Sequence, residues 1–205
     1  MLKVGLTGSI AVGKSYVVGI LRELGAFVLD ADLTAREVVA PNTKGLQMIV
    51  ENFGEEILHP NGDLDRIKLG AIVFADEAKR QLLNSIVHPL VHDSQSDWLI
   101  ERERESPHGI AVIDAALMIE SGGWKRFHKL IVVFCDPALQ LERLILRNDI
   151  SESEALKRIN SQMPQEEKKS YANFLIDTSK DFDDTRRQTI EIYERLKLIE
   201  IETRK

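Results

Sequence analysis

The chain has 205 residues, of which 43% are hydrophobic, and carries a formal net charge of −6. This length supports one sizeable hydrophobic core with room for an inserted lobe. Proteins that bind nucleic-acid phosphates usually carry a positive balance, so the composition argues against a nucleic-acid partner. Any anion that the chain binds must be held by a local cluster of positive groups.

The lone cysteine, Cys135, falls at the end of an apolar run at 130–135. Its setting predicts a buried, unreactive thiol rather than a nucleophile or a metal ligand. The chain opens directly into a strand-like run without a signal-peptide pattern, and no apolar run approaches the ~18 residues of a spanning helix. We therefore expect a cytoplasmic, soluble protein with no membrane partner.

Apolar runs with little polar alternation recur along the chain and predict strands that are covered on both faces. Helix-like segments separate several of them, which indicates an α/β fold built on a parallel five-stranded sheet flanked by helices. The predicted strands are 3–7, 26–29, 110–113, 130–135 and 174–176.

The first predicted strand leads into residues 8–15, GSIAVGKS, which fit the phosphate-loop pattern G-x-x-x-x-G-K-[ST] in full. Gly8 and Gly13 allow the backbone to fold into a nest of N–H groups that faces phosphate oxygens, and the next helix directs its N-terminal dipole at the same anion. Lys14 is expected to reach the β- and γ-phosphates, and Ser15 to offer its hydroxyl to Mg²⁺. The loop therefore predicts binding of a nucleoside triphosphate, ATP or GTP.

The second predicted strand ends in two carboxylates, Asp30 and Asp32. Ligands of parallel α/β sheets bind beyond the carboxyl ends of the strands, so these side chains are expected close to the phosphates. Asp32 has two interpretations of about equal weight at this point. It accepts the proton of an attacking hydroxyl, or it caps a helix predicted at 33–39.

Residues 41–106 contain no convincing strand and predict a helical insertion between the second and third strands of the core. Pro41, a turn at 60–63 and Pro89 divide the segment. The predicted organisation is therefore a nucleotide-binding core at 1–40 and 107–205, interrupted by this insertion.

The third strand ends in Asp114, a carboxylate in the position of a Walker B residue that helps to hold Mg²⁺. Arg143 and Arg147 then follow at i, i+4 on one predicted helix face, and Arg158 lies on the next helix. A solvated basic face is one interpretation of the three arginines. The other is a lid, at about 140–165, whose arginines neutralise the transferring phosphoryl group.

Two local signals mark helix starts within and after this lid segment. Ser151-Glu152-Ser153-Glu154 has the pattern of a capping box and predicts a helix over 152–162. Pro164 predicts the first position of another helix.

Together these stretches resemble the dephospho-CoA kinase family over nearly the whole chain. The run LNSIVHPLV at 83–91 is the most specific, because other small P-loop kinases lack it. The chain departs from the usual family pattern at four positions, where the family has glycine, threonine, proline and asparagine: Ala11, Tyr16, Ala116 and Thr178. Alanine resists the positive φ that glycine adopts freely. The other stretches that carry the resemblance are GLTG at 5–8, LGA at 24–26, DAD at 30–32, NGDLDR at 61–66, VF at 73–74, LMIESG at 117–122, QLERLILR at 140–147 and RINSQ at 158–162.

The resemblance implies an ATP-dependent kinase that phosphorylates the 3′-hydroxyl of dephospho-CoA with Mg²⁺, the final step of coenzyme A synthesis. It implies that Asp32 is the general base and that the helical insertion binds the CoA half. Arg143, Arg147 and Arg158 are implied to act on ATP from the lid. The residues implied to lie on the ATP phosphates are Ala11, Val12, Gly13, Lys14, Ser15 and Tyr16.

His88 and Pro89 are expected to end one helix, begin the next and shape the substrate lobe, with direct substrate contact as a further possibility. Two alternative functions stay open: a kinase of another small molecule, and a regulator that binds ATP without turnover. A GTP-dependent switch is disfavoured, because the chain has no Asn-Lys-x-Asp sequence. The expected state is a monomer or a small homo-oligomer.

Overall fold

In the computed structural model, which describes residues 1–202, the five apolar runs form one parallel sheet. Its strand order is β2-β3-β1-β4-β5, so the strand that precedes the phosphate loop is the central one. The predicted parallel five-stranded sheet is confirmed, and no strand end differs from prediction by more than one residue. The strands are β1 Leu2–Gly8, β2 Phe27–Asp30, β3 Ile110–Asp114, β4 Lys129–Phe134 and β5 Phe174–Asp177.

The central strands lack polar alternation because helices cover both faces of the sheet. All five residues of β3 are buried, and so are six of the seven in β1. A main core forms between the sheet, the helix that follows the phosphate loop and the C-terminal helix. Its most deeply buried members include Leu2, Val4, Leu6, Val17, Leu21, Val112, Ile131, Ile176 and Leu196.

Side-chain caps define several helix starts. Thr43, Asp65 and Asp136 each accept a backbone N–H in the first turn of the helix that follows. The predicted capping box between Ser151 and Glu154 is confirmed. The α-helices are α1 Lys14–Glu23, α2 Ala31–Glu37, α3 Lys44–Phe53, α4 Arg66–Ala75, α5 Glu77–Glu105, α6 Pro137–Asn148, α7 Glu152–Asn160, α8 Gln165–Lys169 and α9 Phe182–Glu202, with 3₁₀ turns at Glu55–Ile57 and Gly123–Arg126.

The chain divides into two compact units. One comprises Met1–Asp30 and the residues from Arg102 onward, and the other is Ala31–Glu101. The second unit is helical and has a separate hydrophobic core, whose buried members are Val39, Leu46, Ile49, Phe53, Ile57, Leu64, Leu69 and Ile86. In residues 1–202, no helix combines the length and the apolar character that crossing a membrane would require.

Three local predictions of helix boundaries were wrong. Pro89 does not divide two helices, because it lies inside α5, a single helix of 29 residues. A proline there removes one backbone hydrogen bond, but the long runs of helix on both sides keep theirs. Asp32 does not precede its helix, since α2 begins at Ala31 and Asp32 lies in its first turn. Pro164 is the N-cap of α8 rather than its first residue.

Candidate active site

The loop at 8–15 lies at the carboxyl end of the central strand and leads directly into α1. Gly8 is required by close approach, because a Cβ at this position would lie 2.5 Å from the carbonyl oxygen of Val133 on β4. Gly13, the N-cap of α1, has a φ of +82°, a left-handed conformation that glycine adopts without strain. Both glycines of the pattern therefore have a structural reason.

Ala11 also adopts a left-handed conformation, with a φ of +62°. The sequence predicted resistance to this conformation, and the structure nevertheless contains it. A left-handed conformation costs a non-glycine residue about 1–2 kcal/mol. Contacts elsewhere in the loop must therefore offset that cost.

Lys14 forms an ion pair with Asp114, whose side chain is largely buried at the end of β3. Strand register explains this contact between Lys14 and Asp114, since Asp114 pairs with Leu6 of β1, two residues before the loop. Asp30 pairs with Asp114 in the same sheet, so both carboxylates lie at its carboxyl edge. The loop lysine and the predicted Walker B carboxylate are therefore brought together.

Arg143 does not lie on an open surface. Its guanidinium donates two hydrogen bonds to Thr178, one to Oγ1 at 3.1 Å and one to the carbonyl oxygen at 2.9 Å. The Thr178 hydroxyl in turn donates to the carbonyl oxygen of Val12, at 2.7 Å. Arg143 is therefore connected to the phosphate loop through the residue that replaces the family's usual asparagine.

Arg147 and Arg158 are both exposed, on α6 and α7 respectively. The Nε of Arg147 donates to Oδ1 of its neighbour Asn148 at 2.9 Å. The arginines thus differ: one is fixed in the site, and two extend from helices in the segment predicted as a lid. Movement of that segment stays a prediction.

Sequence reasoning gave no role to two glutamines that bond Ile10 inside the loop. Gln162 Oε1 accepts the N–H of Ile10 at 2.8 Å, and Gln140 Nε2 donates to the Ile10 carbonyl oxygen at 2.7 Å. These partners are separated in sequence by 152 and 130 residues. No local pattern reports so distant a contact, although both glutamines occur in the stretches that carry the family resemblance.

Ser9 was also missed. Its side-chain hydroxyl is buried at the second position of the loop and has no hydrogen-bond partner among the described residues. A buried polar group of this kind requires an explanation, because nearly all such groups in folded proteins are bonded. A hydroxyl inside a phosphate loop can bond a phosphate oxygen.

The remaining predicted site residues lie in different places. Ser15 is exposed in the first turn of α1. Tyr16 packs its ring edge-on against Phe182, with ring centroids 4.8 Å apart, and its hydroxyl donates to the Phe182 carbonyl oxygen at 3.3 Å. In the helical unit, Asp32 is exposed on α2, and His88 and Pro89 are exposed in the middle of α5.

Comparison with known proteins gives consistent results. A family model described as dephospho-CoA kinase matches residues 2–184. A dephospho-CoA kinase from Listeria innocua is 43% identical over 194 residues, which cover 94% of this chain and 96% of that protein. The solved structure of a dephospho-CoA kinase from Campylobacter jejuni is similar with a TM-score of 0.72 and 27% identity, over 95% of this chain and 96% of that one. A crystal structure of a Thermus thermophilus protein has a TM-score of 0.80 and 27% identity, over 95% and 97% of the two chains.

Proposed function

Because this chain belongs to the dephospho-CoA kinase family, we propose that it transfers the γ-phosphoryl group of ATP to the 3′-hydroxyl of dephospho-CoA, which yields coenzyme A and ADP. The observation that carries the proposal is a complete phosphate loop whose lysine contacts the carboxylate at the end of β3, in a chain matched almost throughout by the family. We further place the protein in the cytoplasm, as a monomer or a small homo-oligomer.

Oxygen donors suited to Mg²⁺ lie beside the loop. Hard divalent cations prefer hydroxyl, carboxylate and phosphate oxygens, and the chain offers the Ser15 hydroxyl and the Asp114 carboxylate here. Lys14 connects the two positions, since it precedes Ser15 and contacts Asp114. When bound with ATP, Mg²⁺ neutralises charge on the β- and γ-phosphates.

We assign Asp32 as the general base. The 3′-hydroxyl of a ribose is a poor nucleophile at neutral pH, so its proton must leave as the oxygen bonds to phosphorus. In the proposed step, the Asp32 carboxylate accepts that proton and the hydroxyl oxygen attacks the γ-phosphorus. The bond from the γ-phosphorus to the bridging oxygen then breaks, and ADP leaves. Asp32 lies in the first turn of α2 and is exposed.

We assign the positively charged side chains of the site to binding the phosphates of ATP. Lys14 binds the β- and γ-phosphates, where the loop N–H groups from Gly8 to Tyr16 also point in a P-loop. Arg143, Arg147 and Arg158 neutralise the transferring group from α6 and α7. We assign binding of the CoA half to the helical unit, with His88 and Pro89 at its substrate surface.

The experiment is a coupled assay with ATP, Mg²⁺ and dephospho-CoA, with the product examined by mass spectrometry and phosphorus NMR. We expect phosphorylation of the ribose 3′-hydroxyl, and much slower turnover of adenosine, which lacks the part that the helical unit would bind. Product phosphorylated elsewhere, equal turnover of adenosine, or ATP binding without turnover would overturn the proposal.

Asp32→Asn tests the base directly. Asparagine keeps the size and most hydrogen bonding of aspartate but accepts no proton, so we expect kcat to fall by ~10²–10⁴ with little change in ATP affinity. Asp97→Asn, an exposed carboxylate on α5 of the same unit, is the matched control and should leave kcat unchanged. A parental kcat for Asp32→Asn would exclude this residue as the base.

A further inference from the structure

The strained residue of the phosphate loop is the third residue of a turn, which the Val12 N–H closes by donating to the Ser9 carbonyl oxygen at 3.5 Å, a long hydrogen bond. Ala11 holds a φ of +62°, although the neighbouring left-handed position, 13, is a glycine. The unfavourable 1–2 kcal/mol of a left-handed alanine is comparable to the net contribution of one or two hydrogen bonds. Hydrogen bonds that fix the adjoining peptide groups could therefore maintain the loop shape.

Those bonds are present on both sides of Ala11. The φ of Ala11 sets the orientation of the peptide group between Ile10 and Ala11, and Gln140 fixes the carbonyl of that group through a 2.7 Å bond. Gln162 accepts the N–H of Ile10 one peptide earlier, and the Thr178 hydroxyl donates to the carbonyl of Val12 one residue later. Side chains distant in sequence therefore restrain three backbone groups around one strained residue.

Gln140 is itself held in place. Its side chain is buried at 2% exposure, and its Oε1 accepts from Gln165 Nε2 at 2.8 Å. Gln165 Oε1 in turn accepts the backbone N–H of Cys135 at 3.0 Å. The amides thus form a directed chain from the end of β4 to the loop, and bonds in such a chain strengthen one another.

Gln162 lies just after the C-terminal end of α7, next to a second backbone group that a side chain holds in place. The N–H of the following residue, Met163, donates to Glu120 Oε1 at 3.2 Å, and Glu120 pairs with Lys168 Nζ at 2.8 Å. Lys168 is fully buried and also donates to the carbonyl oxygen of Ala116 at 2.9 Å. The segment that carries Gln162 is therefore fixed to the turn after β3 as well as to the loop.

We propose that Gln140 and Gln162 are positioning residues for ATP binding, which hold the phosphate loop in its left-handed turn while alanine occupies position 11. Neither side chain is assigned to touch substrate: each acts through the Ile10 peptide groups, which set the direction of the N–H groups that follow. The inference rests on the proposed function only in that the loop binds ATP. It predicts that the need for the glutamines depends on the residue at position 11.

The test is a double-mutant cycle of Gln140→Ala and Ala11→Gly, with ATP affinity measured by calorimetry in the absence of an acceptor. Loss of one restraining bond should weaken ATP binding about tenfold in Gln140→Ala. Glycine adopts the left-handed conformation without strain, so Ala11→Gly alone is measured as the reference against which the double variant is compared. In the double variant, glycine should restore most of the lost affinity.

Asn173→Ala is the matched control. Its side chain also bonds a backbone group of the sheet, because Oδ1 accepts the N–H of Leu130 at 2.8 Å, but it does so near the start of β4, at the edge opposite the loop. We expect this variant to lower the melting temperature without changing ATP affinity, and Ala11→Gly should not rescue it. Gln162→Ala, whose side chain is only half-buried, repeats the test if Gln140→Ala fails to fold.

Two outcomes would overturn the proposal: parental ATP affinity in the glutamine variants, or a loss of affinity that glycine at position 11 leaves unchanged. Because no acceptor is present, the cycle is independent of substrate identity. Tight ATP binding without phosphorylation of dephospho-CoA would count against the proposed function and leave this inference standing.

Discussion

At the level of single residues, Ser9 connects stability with function. The residue is 5% exposed, and its buried hydroxyl has no hydrogen-bond partner in residues 1–202. An unsatisfied buried hydroxyl costs about 1–3 kcal/mol, so Ser9→Ala should raise the melting temperature of the free protein by a few degrees. If the hydroxyl bonds a phosphate oxygen, the same change should lower kcat about tenfold.

Calorimetric melting and steady-state kinetics on the same preparation check both predicted changes, the rise in melting temperature and the fall in kcat. Ser170→Ala is the control, because the Ser170 hydroxyl is already satisfied by the carbonyl oxygen of Glu167 at 2.7 Å. That variant should gain no stability and keep its turnover. Ser9→Ala with a lower melting temperature, or with parental kcat, would contradict the prediction.

The ion pair between Lys14 and Asp114 has a related consequence. In the free protein the lysine is bound by a largely buried carboxylate, so ATP phosphates must compete for the same ammonium group. Removing either partner leaves a buried charge without its counterion, which is usually destabilising. Loss of activity in a Lys14 variant therefore has to be separated from loss of stability before it is assigned to phosphate binding.

At the level of elements, α6 carries two arginines that should behave differently. Arg143 is bonded to Thr178, so Arg143→Ala should lower both turnover and melting temperature. Arg147 is exposed, so Arg147→Ala should lower turnover by about 10–10³-fold while the melting temperature changes by no more than about 1 °C. Kinetics and melting are measured for the two alanine variants and for the corresponding lysine variants. The lysine variants keep the positive charge but lose the planar guanidinium, so the comparison separates the effects of the two.

Arg104→Ala removes an exposed arginine from α5 and serves as the control, with no expected change in either measurement. Parental kcat/KM for ATP in Arg147→Ala and Arg147→Lys would favour the solvated-face interpretation of this residue. Arg143→Ala with an unchanged melting temperature would show that its bonds to Thr178 contribute little to the free protein.

Elements whose signals are local were predictable from the sequence. The strands follow from continuous apolar runs, and the phosphate loop from fixed glycines with Lys14 and Ser15. The boundary at Pro89 was wrong because a proline is only a local signal, while α5 continues on both sides of it. The bonds of Gln140 and Gln162 to Ile10 were unpredictable for the opposite reason, since they join residues that only the finished fold brings together.

At the level of the whole molecule, the residues predicted for the site occur in both compact units. The phosphate loop, Asp114 and the arginines belong to the unit that contains the sheet, whereas Asp32, His88 and Pro89 belong to the helical unit. Under the proposed function, the sheet-containing unit would carry the parts common to phosphoryl transfer, and the helical unit would supply the base and the substrate surface.

The sheet-containing unit also holds Cys135, the only thiol in the chain. It follows β4 at 3% exposure, and burial raises the pKa of the thiol above its ordinary value. An unfolded cysteine releases its proton near pH 8.5, whereas the folded protein keeps it to a higher pH. Between those two pKa values the thiol binds more protons in the folded state than in the unfolded state, so its contribution to the free energy of unfolding falls as pH rises.

Comparison with Cys135→Ala isolates this contribution, because all other titrating groups are common to the two proteins. Alanine removes buried sulfur contacts, so the variant should be less stable than the parent at pH 7. The difference in free energy of unfolding between the two proteins should then narrow as pH rises from about 8 to 10. In that range only the parent has a thiol that ionises more readily in the unfolded state than in the folded state. Denaturant unfolding of both proteins at each pH measures the difference. A constant or widening difference would mean that the folded thiol ionises at least as readily as an unfolded one, despite its burial beside the glutamine chain that leads to the phosphate loop.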